Sequence, residues 1–163
     1  MNEDNQLQNL AQKVAEKLHE HGHKLTAADS CTGGWICQIL TDIAGSSAWF
    51  DCGFITYSNQ AKQDMLDVPK SILDEYGAVS EQTVLAMVAG ALRNSRADSA
   101  LAVSGIAGPS GGTVGKPVGT VWFAWQRRDG NSASKIIHFD GDRRSVRIQA
   151  VATALQGLLD IYG

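Results

Sequence analysis

Between Lys24-Leu25-Thr26-Ala27-Ala28, a short apolar run, and Trp35-Ile36-Cys37-Gln38-Ile39-Leu40, a mixed apolar segment, stands Ala28-Asp29-Ser30-Cys31-Thr32-Gly33-Gly34. The first run reads as a buried strand and the second as a packed helix, so the residues joining them make a strand-to-helix turn. The rest of the chain has to be arranged around that unit. Small hydroxyl side chains and glycines at a helix N-terminus leave backbone N–H groups, and the positive end of the helix dipole, facing an anion or a developing oxyanion. A serine placed there can act as a nucleophile with its oxyanion hole already supplied. The plainer reading of Ser30 is a helix cap, a position that Ser, Thr and Asp commonly fill.

The flanking segments alternate between helical and extended patterns. Leu7, Leu10, Ala11, Val14, Ala15 and Leu18 recur at helical spacing and predict a first amphipathic helix that stops near Gly22. His19, His21 and His23 resemble a metal triplet, but alternating spacing gathers side chains only on a strand, and here a solvated helix end is the plainer reading. Ala44-Gly45-Ser46-Ser47-Ala48 reads as a small-residue loop and Trp49 to Tyr57 as a strand with Gly53 as a bulge. Ser58 or Asn59 then caps a short helix, with Lys62 in its first turn, where a lysine opposes the dipole and so suggests a purpose other than capping. Val68-Pro69 breaks that helix, Ile72 to Gly77 makes another, and Ser80 opens a longer one through about Arg93 with Val84, Met87, Val88 and Leu92 inward.

Ala100 to Ser104 reads as a strand covered on both faces. It runs into Gly105 to Pro117, whose five glycines and two prolines preclude a regular element and allow backbone N–H groups to approach a ligand closely. Val118 to Gln126 and Ala133 to Phe139 alternate as two strands joined by a hairpin at Asp129-Gly130. Gly141-Asp142-Arg143-Arg144 introduces a last helix, with Val146, Ala150, Ala154, Leu155 and Leu158 as its apolar stripe. This interleaving predicts a three-layer α/β/α domain on a mixed sheet. With 163 residues, 44% of them hydrophobic, the expectation is a single domain over 1–163 with its core from about 6 to 162.

A formal charge of −3 gives a nucleic-acid partner no electrostatic support. No apolar run approaches the roughly 18 residues that span a bilayer, and Met1-Asn2-Glu3-Asp4-Asn5-Gln6 is polar and acidic rather than signal-like, so no membrane and a cytoplasmic location are expected. Cys31, Cys37 and Cys52 are odd in number and lack paired metal spacing, which favours reduced thiols and no structural metal. Gly33-Gly34 is not followed by the Gly-Lys-Ser/Thr that a P-loop needs.

If Ser30 is a nucleophile it needs a base, and the histidines sit poorly for that. Three are at a helix end and His138 is within a late strand. Lys62 remains. At its ordinary pKa a lysine is neutral in only about one molecule in several thousand at pH 7, so it must be lowered by roughly three units, about 4 kcal/mol, through desolvation and the helix dipole. Tyr57 either relays the proton and orients the lysine or is simply a strand aromatic. Cys31 is a rival nucleophile, since a thiolate at a helix N-terminus has a lowered pKa.

Asp29-Ser30-Cys31-Thr32-Gly33-Gly34, Gly45-Ser46-Ser47, Thr56-Tyr57-Ser58-Asn59-Gln60-Ala61-Lys62, Gly77-Ala78-Val79-Ser80, Ser104-Gly105-Ile106-Ala107-Gly108-Pro109, Lys116-Pro117-Val118-Gly119-Thr120-Val121 and Gly141-Asp142-Arg143 follow one another along nearly the whole chain. In that order they resemble the successive signatures of the CinA C-terminal domain family, in its stand-alone form. The resemblance implies a nicotinamide-nucleotide amidohydrolase that converts nicotinamide mononucleotide and water to nicotinic acid mononucleotide and ammonia, without a cofactor or metal, as a cytoplasmic homodimer. It also implies that Ser30 is the nucleophile, Lys62 its base and Tyr57 a supporting hydroxyl. Thr32, Gly33, Gly34, Ser47, Ser104, Gly105 and Arg143 would line the site, with the oxyanion held by N–H groups around Thr32 to Gly34.

The family's usual glutamate is replaced here by Asp29, one methylene shorter. Should that carboxylate position Lys62 or the substrate, its shorter arm displaces the group by about 1 Å, a large factor in rate. The alternative is therefore a catalytically weak or inactive pyridine-nucleotide-binding paralogue of the same fold.

Overall fold

In the computed structural model, residues 2–163 are described; Met1, part of the polar N-terminal stretch, lies outside them. Strand β1 (Leu25–Asp29) is buried at every residue because it runs between two parallel neighbours, β2 (Phe50–Ile55) and β3 (Ser99–Gly105). β4 (Thr120–Arg127) pairs antiparallel with β3, and β5 (Ser132–His138) antiparallel with β4, giving the order β2-β1-β3-β4-β5. The mixed five-stranded sheet and the helices on both its faces match the α/β expectation. No described helix is long and apolar enough to cross a membrane.

The strands' alternation sorts their side chains into two cores. Leu101, Val103, Val121, Phe123 and Trp125 point to one face, where α1 (Glu3–His21), α2 (Trp35–Thr41) and α6 (Arg143–Tyr162) cover them. On the other face the buried sheet residues are the small Ala28, Ala100, Ala102 and Ala124, with the half-buried Phe54 and Trp122 packed at their margin, and α5 (Glu81–Arg93) lies close with Val84, Met87 and Val88 inward. Each large side chain so buried contributes about 1.5–3 kcal/mol. The short helices α3 (Asn59–Leu66) and α4 (Lys70–Tyr76) add Leu66 and Leu73 to this second core.

Local signals set the boundaries as expected. α1 ends at Gly22 (φ 63°), and Ser58, Ser80 and Asp142 cap α3, α5 and α6 by accepting from Ala61, Thr83 and Ser145 N–H. Several expectations are corrected. Asp29, read as the start of the turn, is the last residue of β1. The irregularity in β2 falls between Phe50 and Cys52, not at Gly53; Gly53 is instead a close approach, since a Cβ there would stand 2.3 Å from Cys37 Sγ. The loop before β2 contains a 3-10 turn, Ser46–Ala48. His23 is half-buried, its ring nitrogen 2.8 Å from the Tyr162 hydroxyl, rather than fully solvated.

The topology decides where chemistry can sit. α2 covers one face while the connection through α5 covers the other, so the crossovers from β1 to β2 and from β2 to β3 leave a crevice outside the carboxyl ends of β1 and β3, where open α/β sheets bind ligands.

Candidate active site

Asp29, the last residue of β1, shapes the turn that follows. Its side chain accepts from Thr32 N–H (3.1 Å), Gly34 N–H (2.8 Å) and the Thr32 hydroxyl, folding back on its own loop. Burial pushes this carboxyl above its ordinary range, while the bonds from Thr32 and Gly34 and the nearby Arg147 charge pull it down. Gly33 (φ 64°) and Gly34 (φ 100°) take left-handed conformations that a side chain would strain. Ser30 N–H continues the β1–β3 ladder by donating to Val103 O (3.1 Å), which fixes the serine at the mouth of the crevice.

α3 brings the partner. Lys62 N–H closes the first helical turn on Ser58 O, and its side chain runs inward until only 1% of the residue is exposed. Its Nζ stands 3.1 Å from Ser30 Oγ, 2.8 Å from Thr56 O and 3.2 Å from Tyr57 O. No described carboxylate lies within 4 Å of it to hold the proton. Burial therefore lowers the amine to about 8, the neighbouring Cys31 acting weakly the other way. About a tenth of it is then neutral at pH 7. Two carbonyls and one hydroxyl satisfy the three hydrogens of an ammonium; after a proton leaves, the same carbonyls hold the two remaining hydrogens and the lone pair faces Ser30.

Cys31 is buried and its thiol pushed up to about 12 by that burial, so it is not ionised near neutrality and loses the role of rival nucleophile. Tyr57 is 62% exposed. Its hydroxyl accepts from Arg143 Nη2 (3.3 Å), while its carbonyl is the part that meets Lys62. Tyr57 lines the cavity beside Arg143, but its hydroxyl bonds Arg143 and only its carbonyl meets Lys62, so no direct hydroxyl–amine contact for a proton relay is present.

A cavity of about 290 Å³ opens over Ser30 and Lys62, with Ser104 and Gly105 on its floor and Arg143 at its edge. Arg143, the first residue of α6, donates from Nη1 to Gly108 O (2.9 Å) and so ties the helix to the glycine-rich loop. Thr32, Gly33 and Gly34 do not line the cavity. Their N–H groups are already taken by Asp29 and, for Gly33, by Ser30 O (3.1 Å), which corrects the expected oxyanion donors. Ser47 is also elsewhere: it precedes β2 at the opposite end of the sheet, where Trp49 O accepts from Leu25 N–H. The sequence reading missed Ala78 and Val79, between α4 and α5, which line the wall opposite. The Gly77-Ala78-Val79-Ser80 signature held that signal without a role attached. Among the described residues, no three His, Cys, Asp or Glu side chains gather as metal ligands.

The CinA C-terminal domain family matches residues 7–162. The chain is 52% identical over 155 residues to the nicotinamide-nucleotide amidohydrolase PncC of Escherichia coli (strain K12), covering 95% of this chain and 94% of that protein. To the protein of the same name from Pseudomonas putida it is 50% identical, covering 93% and 94%. Among solved structures, the competence/damage inducible protein CihA from Agrobacterium tumefaciens superposes with a TM-score of 0.94 at 45% identity, over 97% of this chain and 96% of that one.

Proposed function

The chain belongs to the CinA C-terminal domain family, and from that premise we propose that it is a nicotinamide-nucleotide amidohydrolase, converting nicotinamide mononucleotide and water to nicotinic acid mononucleotide and ammonia. The relatives named for this activity, at about half identity over nearly the full chain, support the substrate. The contact between a buried amine and the Ser30 hydroxyl carries the mechanism.

Neutral Lys62 takes the Ser30 proton as Oγ attacks the carboxamide carbon, forming a C–O bond and a tetrahedral oxyanion. The C–N bond then breaks, and the proton passes from Lys62 to the departing nitrogen, which leaves as ammonia. Water attacks the resulting ester, gives its proton to Lys62, and the serine alkoxide is expelled and reprotonated. Arg143, with a guanidinium at the cavity edge, suits the nucleotide's phosphate, and Ser104 and Gly105 suit close contact with the ribose. The paralogue alternative depends on Asp29 reaching the lysine or the substrate. Its carboxylate instead closes the turn, so no observation favours that reading.

The test is incubation with nicotinamide mononucleotide while ammonia is measured. Because the deprotonated amine is the active form, kcat/KM is expected to rise tenfold per pH unit and level off above about 8. Tight nucleotide binding with no ammonia at any pH would overturn the proposal.

A further inference from the structure

Arg147 stands one helical turn after Arg143 on α6 and has no part in the chemistry described so far. Its guanidinium donates from Nε to Cys31 O (3.1 Å) and from Nη2 to Thr32 O (3.0 Å), two successive carbonyls of the nucleophile's turn. The same group lies 5.5 Å from the centre of the Trp35 ring, which limits its freedom. No described carboxylate comes within 4 Å of it, so its hydrogen-bonding capacity is directed at the turn.

The turn can be accounted for peptide by peptide. Ser30 N–H goes to Val103 O, Thr32 and Gly34 N–H to the Asp29 carboxylate, and Gly33 N–H to Ser30 O. Among N–H groups 30–34, that of Cys31 alone donates to no other described residue, and Cys31 lines the cavity beside Ser30. Peptide planarity makes its direction a consequence of the bonds around it. Ser30 C=O is held by Gly33 N–H, so the Cys31 N–H of the same peptide points away from it. Gly33 N–H in turn belongs to the peptide whose carbonyl Arg147 holds together with Trp35 N–H (3.2 Å).

We infer that Arg147 is a positioning residue: by gripping the Cys31 and Thr32 carbonyls it aims the Cys31 N–H at the carboxamide oxygen as that oxygen gains charge in the acyl-transfer step. The inference rests on the amidohydrolase reading for its substrate, but not for its geometry. A carboxylate on one side of the turn collects N–H groups and a guanidinium on the other collects C=O groups, leaving one donor for the reaction. Lysine is no equivalent, since it lacks the planar fork that meets two carbonyls at once.

The experiment compares the parent with Arg147→Ala and Arg147→Lys. Loss of an oriented oxyanion donor is expected to lower kcat of Arg147→Ala on nicotinamide mononucleotide by about 100-fold, with KM within about threefold. Arg147→Lys should fall between the two. Added methylguanidinium should raise the rate of Arg147→Ala and leave the parent unchanged, a response that a merely destabilised fold would not give. The rate at which a fluorophosphonate labels Ser30 should drop in the same order, and it reads the turn independently of the nucleotide. Should the parent release no ammonia, the amidohydrolase reading fails while the labelling rates still decide the role of Arg147. Should Arg147→Ala fail to fold, Arg147→Lys decides. Variants that label at the parent's rate, or a loss that methylguanidinium does not reverse, would overturn the inference.

Discussion

Ser30→Ala is expected to abolish ammonia release, lowering kcat/KM by on the order of 10⁵, while Cys31→Ala stays within about threefold of the parent. The two residues are adjacent, and their environments separate them. The Ser30 hydroxyl is 3.1 Å from an amine that burial brings down to about 8. The Cys31 thiol is held at about 12 and carries no negative charge near neutrality. Steady-state assays on the two variants measure the contrast directly. An active Ser30→Ala enzyme, or an inactive but folded Cys31→Ala enzyme, would transfer the nucleophile to the thiol.

Lys62→Met should remove activity as completely, and it should also change how stability depends on pH. The amine's pKa is lowered from 10.5 in the unfolded chain to about 8 in the fold. Below pH 8 both states hold the proton, and folding bears the full cost of burying an ammonium, about 3 kcal/mol. Between pH 8 and 10.5 the unfolded chain binds the proton and the folded one does not, so the parent gains stability as pH rises. Above 10.5 the cost is gone. Methionine has no such dependence, and its advantage over the parent should shrink by about 3 kcal/mol from pH 7 to above 10.5. The carbonyls of Thr56 and Tyr57 lose a donor in the variant, which offsets part of the advantage equally at every pH. Urea unfolding of both proteins across this range measures the difference. A difference that does not change with pH would mean the amine titrates as it does in water.

These effects come from residues whose placement was legible to very different degrees. The caps at Ser58, Ser80 and Asp142 and the inward stripe of α6 are local patterns, and the structure has them where the sequence put them. Lys62 was legible for a related reason, since a lysine early in a helix opposes the dipole and invites a question. The Asp29 bonds were not. Which N–H groups remain free after a strand-to-helix turn depends on whether a carboxylate folds back on them, and Asp29 does so from a fully buried position. Ser47 offers a different lesson. Parallel strands need a crossover that returns the chain to the edge where it began. A residue just before β2 therefore cannot stand beside one just after β1 in the same chain, a constraint already present once β1 and β2 are parallel. Arg147 was out of reach, because its meaning comes from two carbonyls 115 and 116 positions away.

The proposed base can itself be observed. With ¹³C-labelled lysine and the Lys62 signal assigned through Lys62→Met, the Cε shift follows protonation of that one amine as pH is raised. A desolvated base beside Ser30 is expected to titrate with a midpoint near 8, together with the rise in kcat/KM. A midpoint near 10.5, the value of an amine in open water, would contradict it.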